Sequence, residues 1–97
     1  MAPISRTIVI TGASSGIGKA LALRYARDRT VLGLLGRSSA RLHEVADQCR
    51  RLGAAVQTAT LDIRARFEMR QWLENFDTRT PIDVLIANAG VMAGRPA

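Results

Sequence analysis

Short apolar runs alternate with longer segments of helical periodicity along the whole chain. Four of the runs are predicted strands, because they are short and rich in aliphatic and β-branched residues. They occupy residues 7–10, 31–35, 56–61 and 83–87. Between them lie three segments whose apolar residues recur every three or four positions, which is typical of helices that bury one face. This alternation predicts an α/β fold in which crossover helices join parallel strands.

Each predicted helix has one apolar face, which we interpret as core packing. The first helix begins at Gly16, the second stops near Gly53, and the third ends before Pro81. The faces comprise Ile17, Ala20, Leu21 and Tyr25 in the first helix, Leu42, Val45, Ala46 and Cys49 in the second, and Met69, Trp72, Leu73 and Phe76 in the third.

The strands differ in the burial that their patterns predict. The first, second and fourth are apolar at successive positions, as in strands covered on both faces, whereas VQTATL alternates and is the expected edge. Right-handed crossovers then favour the strand order 3-2-1-4, one half of a doubly wound nucleotide-binding sheet. Only ten residues follow Ala87. The outer edge of the fourth strand is therefore expected to be open unless another chain covers it, for example in a homo-oligomer.

A glycine-rich segment, TGASSGIG, connects the first strand to the first helix. Gly12 is suited to a positive φ, Gly16 lets the backbone approach a pyrophosphate, and Gly18 allows close packing of helix on strand. Ser14 or Ser15 is placed to cap the helix and to offer a hydroxyl to ribose or phosphate. Free N–H groups at a helix start attract anions. The segment therefore predicts a phosphate-binding turn, the alternative being a plain glycine turn.

The spacing TGxxxGIG, followed by GRSS, LDI and ANAG in that order, resembles the amino-terminal half of the short-chain dehydrogenase/reductase family. The resemblance covers essentially the whole chain. It implies a Rossmann fold and an oxidoreductase that moves hydride between NAD(P) and a carbonyl or alcohol carbon. Ile17 belongs to the set of cofactor-contacting residues that it implies.

Cofactor preference is predicted from the end of the second strand. The strand ends at Gly36 and is followed by Arg37, so no carboxylate stands there to bind the ribose hydroxyls or repel a 2′-phosphate. A guanidinium binds such a phosphate through charge-assisted hydrogen bonds, with Ser38 expected to assist. We therefore predict NADP rather than NAD, the alternative being that Arg37 is simply solvated.

The resemblance assigns further cofactor contacts. Asp62 is expected to accept a hydrogen bond from the adenine amino group while Ile63 packs against the ring, although Asp62 is also placed to cap the third helix. Asn88 is expected to tie strand ends together through its side chain. Ala89 and Gly90 are expected to leave room for the nicotinamide ribose, the alternative being a bare turn.

Catalytic residues are not predicted in this chain. The family's serine, tyrosine and lysine lie beyond the ANAG motif, and Tyr25 has no lysine four residues later. Residues 1–97 are thus expected to form a single, partial NADP-binding domain of a truncated or partial enzyme, inactive alone and without metal ligands. The alternative is a stand-alone nucleotide-binding or self-associating module without catalysis.

The charge and composition of the chain argue against nucleic acid and membrane as partners. The net charge is +6, but the basic residues are scattered arginines apart from Lys19, and aromatic residues make up only 4% of the chain. Nucleic-acid binding is therefore not expected, since a dense basic run and stacking aromatics are missing. No apolar run is long enough for a membrane helix or a signal peptide. The single cysteine, Cys49, fits a reducing compartment, so we expect a cytoplasmic protein.

Overall fold

The computed structural model describes residues 6–62 and 64–88. Strands and helices alternate through these residues, as the apolar pattern predicts. The elements are β1 (Arg6–Thr11), α1 (Gly16–Tyr25), β2 (Thr30–Gly36), α2 (Ser39–Arg51), β3 (Ala55–Thr60), α3 (Arg66–Arg79) and β4 (Val84–Ile86). None of the three helices within the described ranges is long and apolar enough to cross a membrane.

The four strands form one parallel sheet in the order β3-β2-β1-β4, which confirms the predicted fold class and strand order. In the register of the sheet, Ile8 of β1 lies between Leu32 of β2 and Val84 of β4. The start of β4 is fastened to β1 by two hydrogen bonds: the Thr7 N–H donates to Oδ2 of Asp83 at 2.7 Å, and the Asp83 N–H donates to the Thr7 carbonyl at 2.9 Å.

Helices cover both faces of the sheet. Ile8 and Ile10 point toward a core that contains residues of α1 and α2, whereas Val9, between them, packs with Phe76 of α3. Successive side chains of a strand point to opposite faces, so α3 lies opposite α1 and α2. The result is a doubly wound sheet, in which the carboxyl ends of all four strands meet at one edge.

The apolar faces predicted for α2 and α3 are confirmed. All four residues predicted in α2 are buried, and α2 ends next to Gly53, whose φ is +105°. In α3, Phe76 is buried and stacks on Trp72 with ring centroids 4.9 Å apart. Gly33 of β2 faces these rings, and a Cβ there would lie 3.1 Å from Trp72 and 3.3 Å from Phe76. A glycine in the second strand thus lets α3 pack closely on the sheet.

The face predicted for α1 is wrong in part. Ile17 is 70% exposed and Ala20 is also exposed, while the residues that α1 buries are Gly18 and Ala22. These two lie four positions apart, on one side of the helix. Their small size brings the helix axis close to the sheet, so the larger apolar side chains of α1 lie beside the contact instead of within it.

The burial predicted for the strands is found in β1, β2 and β3 but not in β4. β1 and β2 are buried almost throughout, and β3 is a half-exposed edge, as predicted. β4 reads as a strand covered on both faces, yet Val84 is 42% exposed and Leu85 49% exposed. Among the described residues β4 pairs with β1 alone, so its other edge is open and fewer neighbours cover its side chains.

Candidate cofactor-binding site

A cleft of about 730 Å³ lies where the strands end and α1 begins. Clefts at the carboxyl ends of parallel strands are the usual ligand sites of doubly wound sheets. Nine of the predicted site residues line it: Gly12, Ser14, Ser15, Gly16, Ile17, Arg37, Ser38, Asp62 and Asn88. The sequence prediction missed the other lining residues: Thr11, Leu35, Gly36, Arg41, Leu61, Arg64 and Met69.

The glycine turn enters the cleft in a conformation that glycine favours. Gly12 has φ +64° and Gly16 has φ +59°. A Cβ on Gly12 would overlap the backbone oxygen of Asn88, whereas a Cβ on Gly16 would have no neighbour within 4 Å. The turn is anchored to β2, because the Ala13 N–H donates to the Leu35 carbonyl at 2.9 Å. Gly16 therefore leaves open space at the start of α1, where a ligand can approach the backbone.

Gly18 and Asn88 hold the turn against the end of β4. The Asn88 Nδ2 donates to the Gly12 carbonyl at 3.4 Å, which joins the residue after β1 to the segment after β4. A Cβ on Gly18 would overlap the same carbonyl oxygen and would lie 2.8 Å from Asn88 Nδ2. The expected tie between strand ends is thus present, and the close approach permitted by Gly18 is to the turn itself.

The serines of the turn differ from the capping prediction. Ser15 occupies the N-cap position of α1 with extended backbone angles, but its side chain makes no capping hydrogen bond. The Ser15 carbonyl accepts the first helical bond, from the Lys19 N–H at 3.3 Å. The first N–H groups of a helix have no acceptor within the helix. Without a side-chain cap, these donors and the Ser14 and Ser15 hydroxyls are available at the cleft.

Two arginines that follow β2 in the chain, Arg37 and Arg41, line the cleft. Arg37 follows β2 and is exposed, and Ser38 caps α2 by accepting a hydrogen bond from the Arg41 N–H at 3.3 Å. The sequence does contain a signal for Arg41 as a second cation in the cleft. Ser38 is a typical N-cap residue, and a side chain three positions after it lies in the first turn of the helix, close to the end of β2. The hydroxyl of Ser38 still has its own proton to donate.

Asp62, which follows the neighbouring strand β3 and also lines the cleft, pairs with Arg64. Its carboxylate accepts from the Arg64 backbone N–H at 2.9 Å and from the guanidinium at 2.8 and 3.2 Å. The side-chain hydrogen bond from Arg64, then its backbone bond, lower the pKa of Asp62 to about 2, and the charge of Arg37 acts in the same direction. The carboxylate is therefore ionised at neutral pH. The alternative capping role is wrong, because Ala65 is the N-cap of α3.

Three predicted contacts, Ile63, Ala89 and Gly90, lie outside the residues that the structure describes. Those that it describes supply the parts of a dinucleotide site: a turn without side chains, a helix start with free donors, cations after β2 and a carboxylate after β3. The spaces that a Cβ would occupy at Gly12 and Gly18 are filled by the protein's own backbone, and the space at Gly16 is open. These features fit a phosphate-bearing cofactor.

Comparison with known families agrees with this geometry. The sequence profile of the short chain dehydrogenase family matches residues 6–97. The chain belongs to this family. A curated short-chain dehydrogenase relative, 11-beta-hydroxysteroid dehydrogenase-like 4A of Arabidopsis thaliana, is 38% identical over 88 residues, which make up 89% of this chain. The chain spans only 29% of the length of that relative.

Solved short-chain dehydrogenase structures share the fold. L-sorbose reductase from Gluconobacter frateurii, complexed with NADPH and L-sorbose, matches with a TM-score of 0.80 and 30% identity, over 95% of this chain and 36% of that one. Carveol dehydrogenase from Mycobacterium avium, in complex with NAD, also has a TM-score of 0.80, with 23% identity over 89% of this chain and 36% of that one. At the latter identity the likeness concerns the fold alone.

The single tyrosine of this short-chain dehydrogenase chain lies far from the cleft. Tyr25 is the last residue of α1 and packs partly buried against the core, whereas the cleft lies at Gly16. Tyr25 lies nine positions along the helix from Gly16, a rise of about 13.5 Å along the helix axis. Lys19 and His43 do not line the cleft either. None of these three side chains is placed to act on a ligand in the cleft.

Proposed function

We propose that the chain is the NADP-binding portion of an oxidoreductase that transfers hydride between NADP(H) and a carbonyl or alcohol substrate. One observation carries the proposal: the glycine turn at the start of α1 and Arg37 at the end of β2 line the same cleft. A helix start binds phosphate through N–H groups, and a guanidinium binds a second phosphate through paired hydrogen bonds. NADP carries both a pyrophosphate and a 2′-phosphate.

The charges around the cleft support NADP over NAD. Arg37 and Arg41 both line the cleft after β2, where a site for NAD commonly has a carboxylate. The carboxylate on the cleft wall, Asp62, is already paired with Arg64 and offers little net repulsion to a phosphate. L-sorbose reductase, one of the structures similar to this chain, is complexed with NADPH.

Each predicted cofactor-binding residue has a proposed role. Gly12, Gly16 and the start of α1 hold the pyrophosphate, and the Ser14 and Ser15 hydroxyls donate to phosphate or ribose. Gly18 keeps the turn close to Asn88. On the far wall Ser38 assists Arg37 at the 2′-phosphate, while Asp62 and Ile63 contact the adenine. Ile17 contacts the cofactor, Asn88 ties the strand ends together, and Ala89 and Gly90 leave room for the nicotinamide ribose.

We further propose that this chain catalyses no turnover by itself. NADPH supplies the hydride when it is bound, but its transfer to a carbonyl also needs an acid beside the substrate oxygen. Tyr25 is at the end of α1 that lies away from the cleft, and it lacks a lysine four residues later.

We also propose that the protein works in a reducing compartment such as the cytoplasm. The free, buried thiol of Cys49 supports this location.

Calorimetric titration of the chain with NADPH and with NADH tests the proposed function. We expect NADPH to bind about 10- to 100-fold more tightly, since charge-assisted hydrogen bonds to the 2′-phosphate contribute about 1.5 to 3 kcal/mol. Carbonyl-dependent oxidation of NADPH, measured in the same preparation, is expected to be absent. Failure of the folded chain to bind NADPH would defeat the cofactor assignment, and measurable turnover would defeat the assignment of inactivity.

A second proposal concerns the open edge of β4. We propose that a second copy of this chain covers it, because Val84 and Leu85 are each nearly half exposed and an unpaired apolar edge favours strand pairing. Wild-type chain is expected to sediment as a dimer and the Leu85→Lys variant as a monomer. Leu52→Lys, at an exposed apolar residue after α2, is the matched control and should remain dimeric. A monomeric wild-type chain would contradict self-association.

A further inference from the structure

The outer edge of β3 carries backbone groups that no neighbouring strand uses. The Leu61 N–H, just after β3, donates to the Gly36 carbonyl of β2 at 2.9 Å. Consecutive residues of a parallel strand direct their backbone groups to opposite edges, so residues 57, 59 and 61 face β2 while residues 56, 58 and 60 face outward. Among the described residues β3 pairs with β2 alone, and its outer edge is therefore a template for a further strand.

The sequence of β3 lacks the usual protection of an edge strand. Residues 54–61 read AAVQTATL and contain no charged residue, proline or glycine. Edges of native sheets are commonly protected by charged side chains, prolines or bulges. Uncharged segments of this kind, rich in β-branched residues, pair readily with other chains when they are exposed. Protection of the β3 edge must therefore come from another element.

A guanidinium of α2 reaches across this edge. Nη2 of Arg50 donates to the Val56 carbonyl, one of the outward-facing groups, at 3.0 Å. Nη1 of the same side chain donates to Oδ1 of Asp47, one helical turn earlier, at 3.3 Å. These two bonds fix the guanidinium between the end of α2 and the start of β3. A charged group thus occupies the place where the first hydrogen bond of an added strand would form.

Stabilisation of α2 alone does not account for the contact. Arginines in the last turn interact favourably with the carboxyl end of a helix, and both Arg50 and Arg51 lie there. Arg51 is exposed, and its side chain makes no hydrogen bond within the described residues. The bond to β3 therefore distinguishes Arg50 from its neighbour. The pair of Arg50 with Asp47 has side chains 48% and 61% exposed, and such pairs contribute little to stability.

We propose that Arg50 closes the outer edge of β3, so that strand pairing with a second copy of this chain takes place only at β4. Without this protection, β3 of one copy and β4 of the next can pair in parallel. That contact leaves a free edge at each end and builds an open-ended assembly. Pairing of β4 with β4 is instead closed by a two-fold axis. The inference rests on the proposal that the β4 edge accepts a second copy.

Sedimentation velocity of Arg50→Ala over a range of protein concentrations tests the inference. The wild-type chain is expected to form no species larger than a dimer. Arg50→Ala should form larger species whose average mass keeps rising with concentration, because the β3 and β4 edges are then both open. Arg51→Ala is the matched control, since it removes the same charge from the next position without touching the Val56 carbonyl, and it should sediment as wild type.

Two double variants identify the edges that pair. Adding Leu85→Lys to Arg50→Ala places a charge on β4 and should abolish the larger species. Adding Gln57→Lys instead returns a charge to β3 at an exposed position and should restore the wild-type distribution. Circular dichroism of each variant checks that the fold is retained.

Several outcomes would overturn the role of Arg50. It is wrong if Arg50→Ala sediments as wild type, or if Arg51→Ala forms the same larger species, because net charge would then be the cause. It is also wrong if the larger species persist with Leu85→Lys, or if Arg50→Ala loses the native circular dichroism, since Arg50 would then serve the fold. A monomeric wild-type chain, together with assembly of Arg50→Ala that Leu85→Lys abolishes, would contradict the dimer alone and support the closure of β3.

Discussion

Replacing Gly12 with alanine is expected to destabilise the folded chain by about 2 to 4 kcal/mol and to abolish measurable NADPH binding. Two penalties combine at this position. Gly12 has φ +64°, a conformation that costs other residues about 1 to 2 kcal/mol. A Cβ there would also overlap the backbone oxygen of Asn88, and backbone moves less readily than the end of a flexible side chain. Relief of the overlap requires the turn to separate from the end of β4.

Gly16→Ala is the matched control for this change. Gly16 has nearly the same φ, +59°, but a Cβ there would have no neighbour within 4 Å. We expect it to lose only the conformational part, about 1 to 2 kcal/mol. Urea denaturation of the two variants and the wild-type chain, followed by circular dichroism, measures the difference. Equal losses at the two positions would show that the contact between the turn and Asn88 does not limit the conformation of Gly12.

Replacing Arg37 with alanine is expected to weaken NADPH binding by about 10- to 100-fold and NADH binding by less than about two-fold. The reason is that the guanidinium donates to the 2′-phosphate, a group that NADH lacks, and such charge-assisted bonds contribute about 1.5 to 3 kcal/mol. Arg41, which lines the same cleft, retains part of the attraction. The preference should therefore shrink without reversing.

Titration calorimetry of both cofactors at fixed ionic strength measures this effect. Arg51→Ala removes the same charge from an exposed position at the end of α2 and should leave both affinities unchanged. An equal weakening of NADPH and NADH by Arg37→Ala would overturn the role of Arg37 in cofactor choice. Since screening reduces attraction between exposed charges, the loss should also be smaller at high salt.

Sequence patterns predicted much of the site because its main parts follow from chain order. In a parallel sheet every strand ends at the same edge, so the segments after β1, β2, β3 and β4 meet there whatever their distance along the chain. Arg37, Asp62 and Asn88 each follow a strand, and all three line the cleft. Contacts made within helices were harder to foresee. Arg41 lies five residues beyond the end of β2 and Arg64 four residues beyond the end of β3, so their side-chain directions depend on how α2 and α3 begin.

The amino-acid sequence by itself determined the order of strands and helices, the parallel sheet and the position of the glycine turn, because periodicity and glycine spacing act through local backbone geometry. Only the tertiary structure decided which side of α1 is buried and how exposed β4 is. Gly18 and Ala22 are buried while Ile17 is exposed, because small residues allow the closest approach of α1 to the glycine turn and the core beneath it. Such outcomes depend on the fit between elements distant in the chain, which no local pattern encodes.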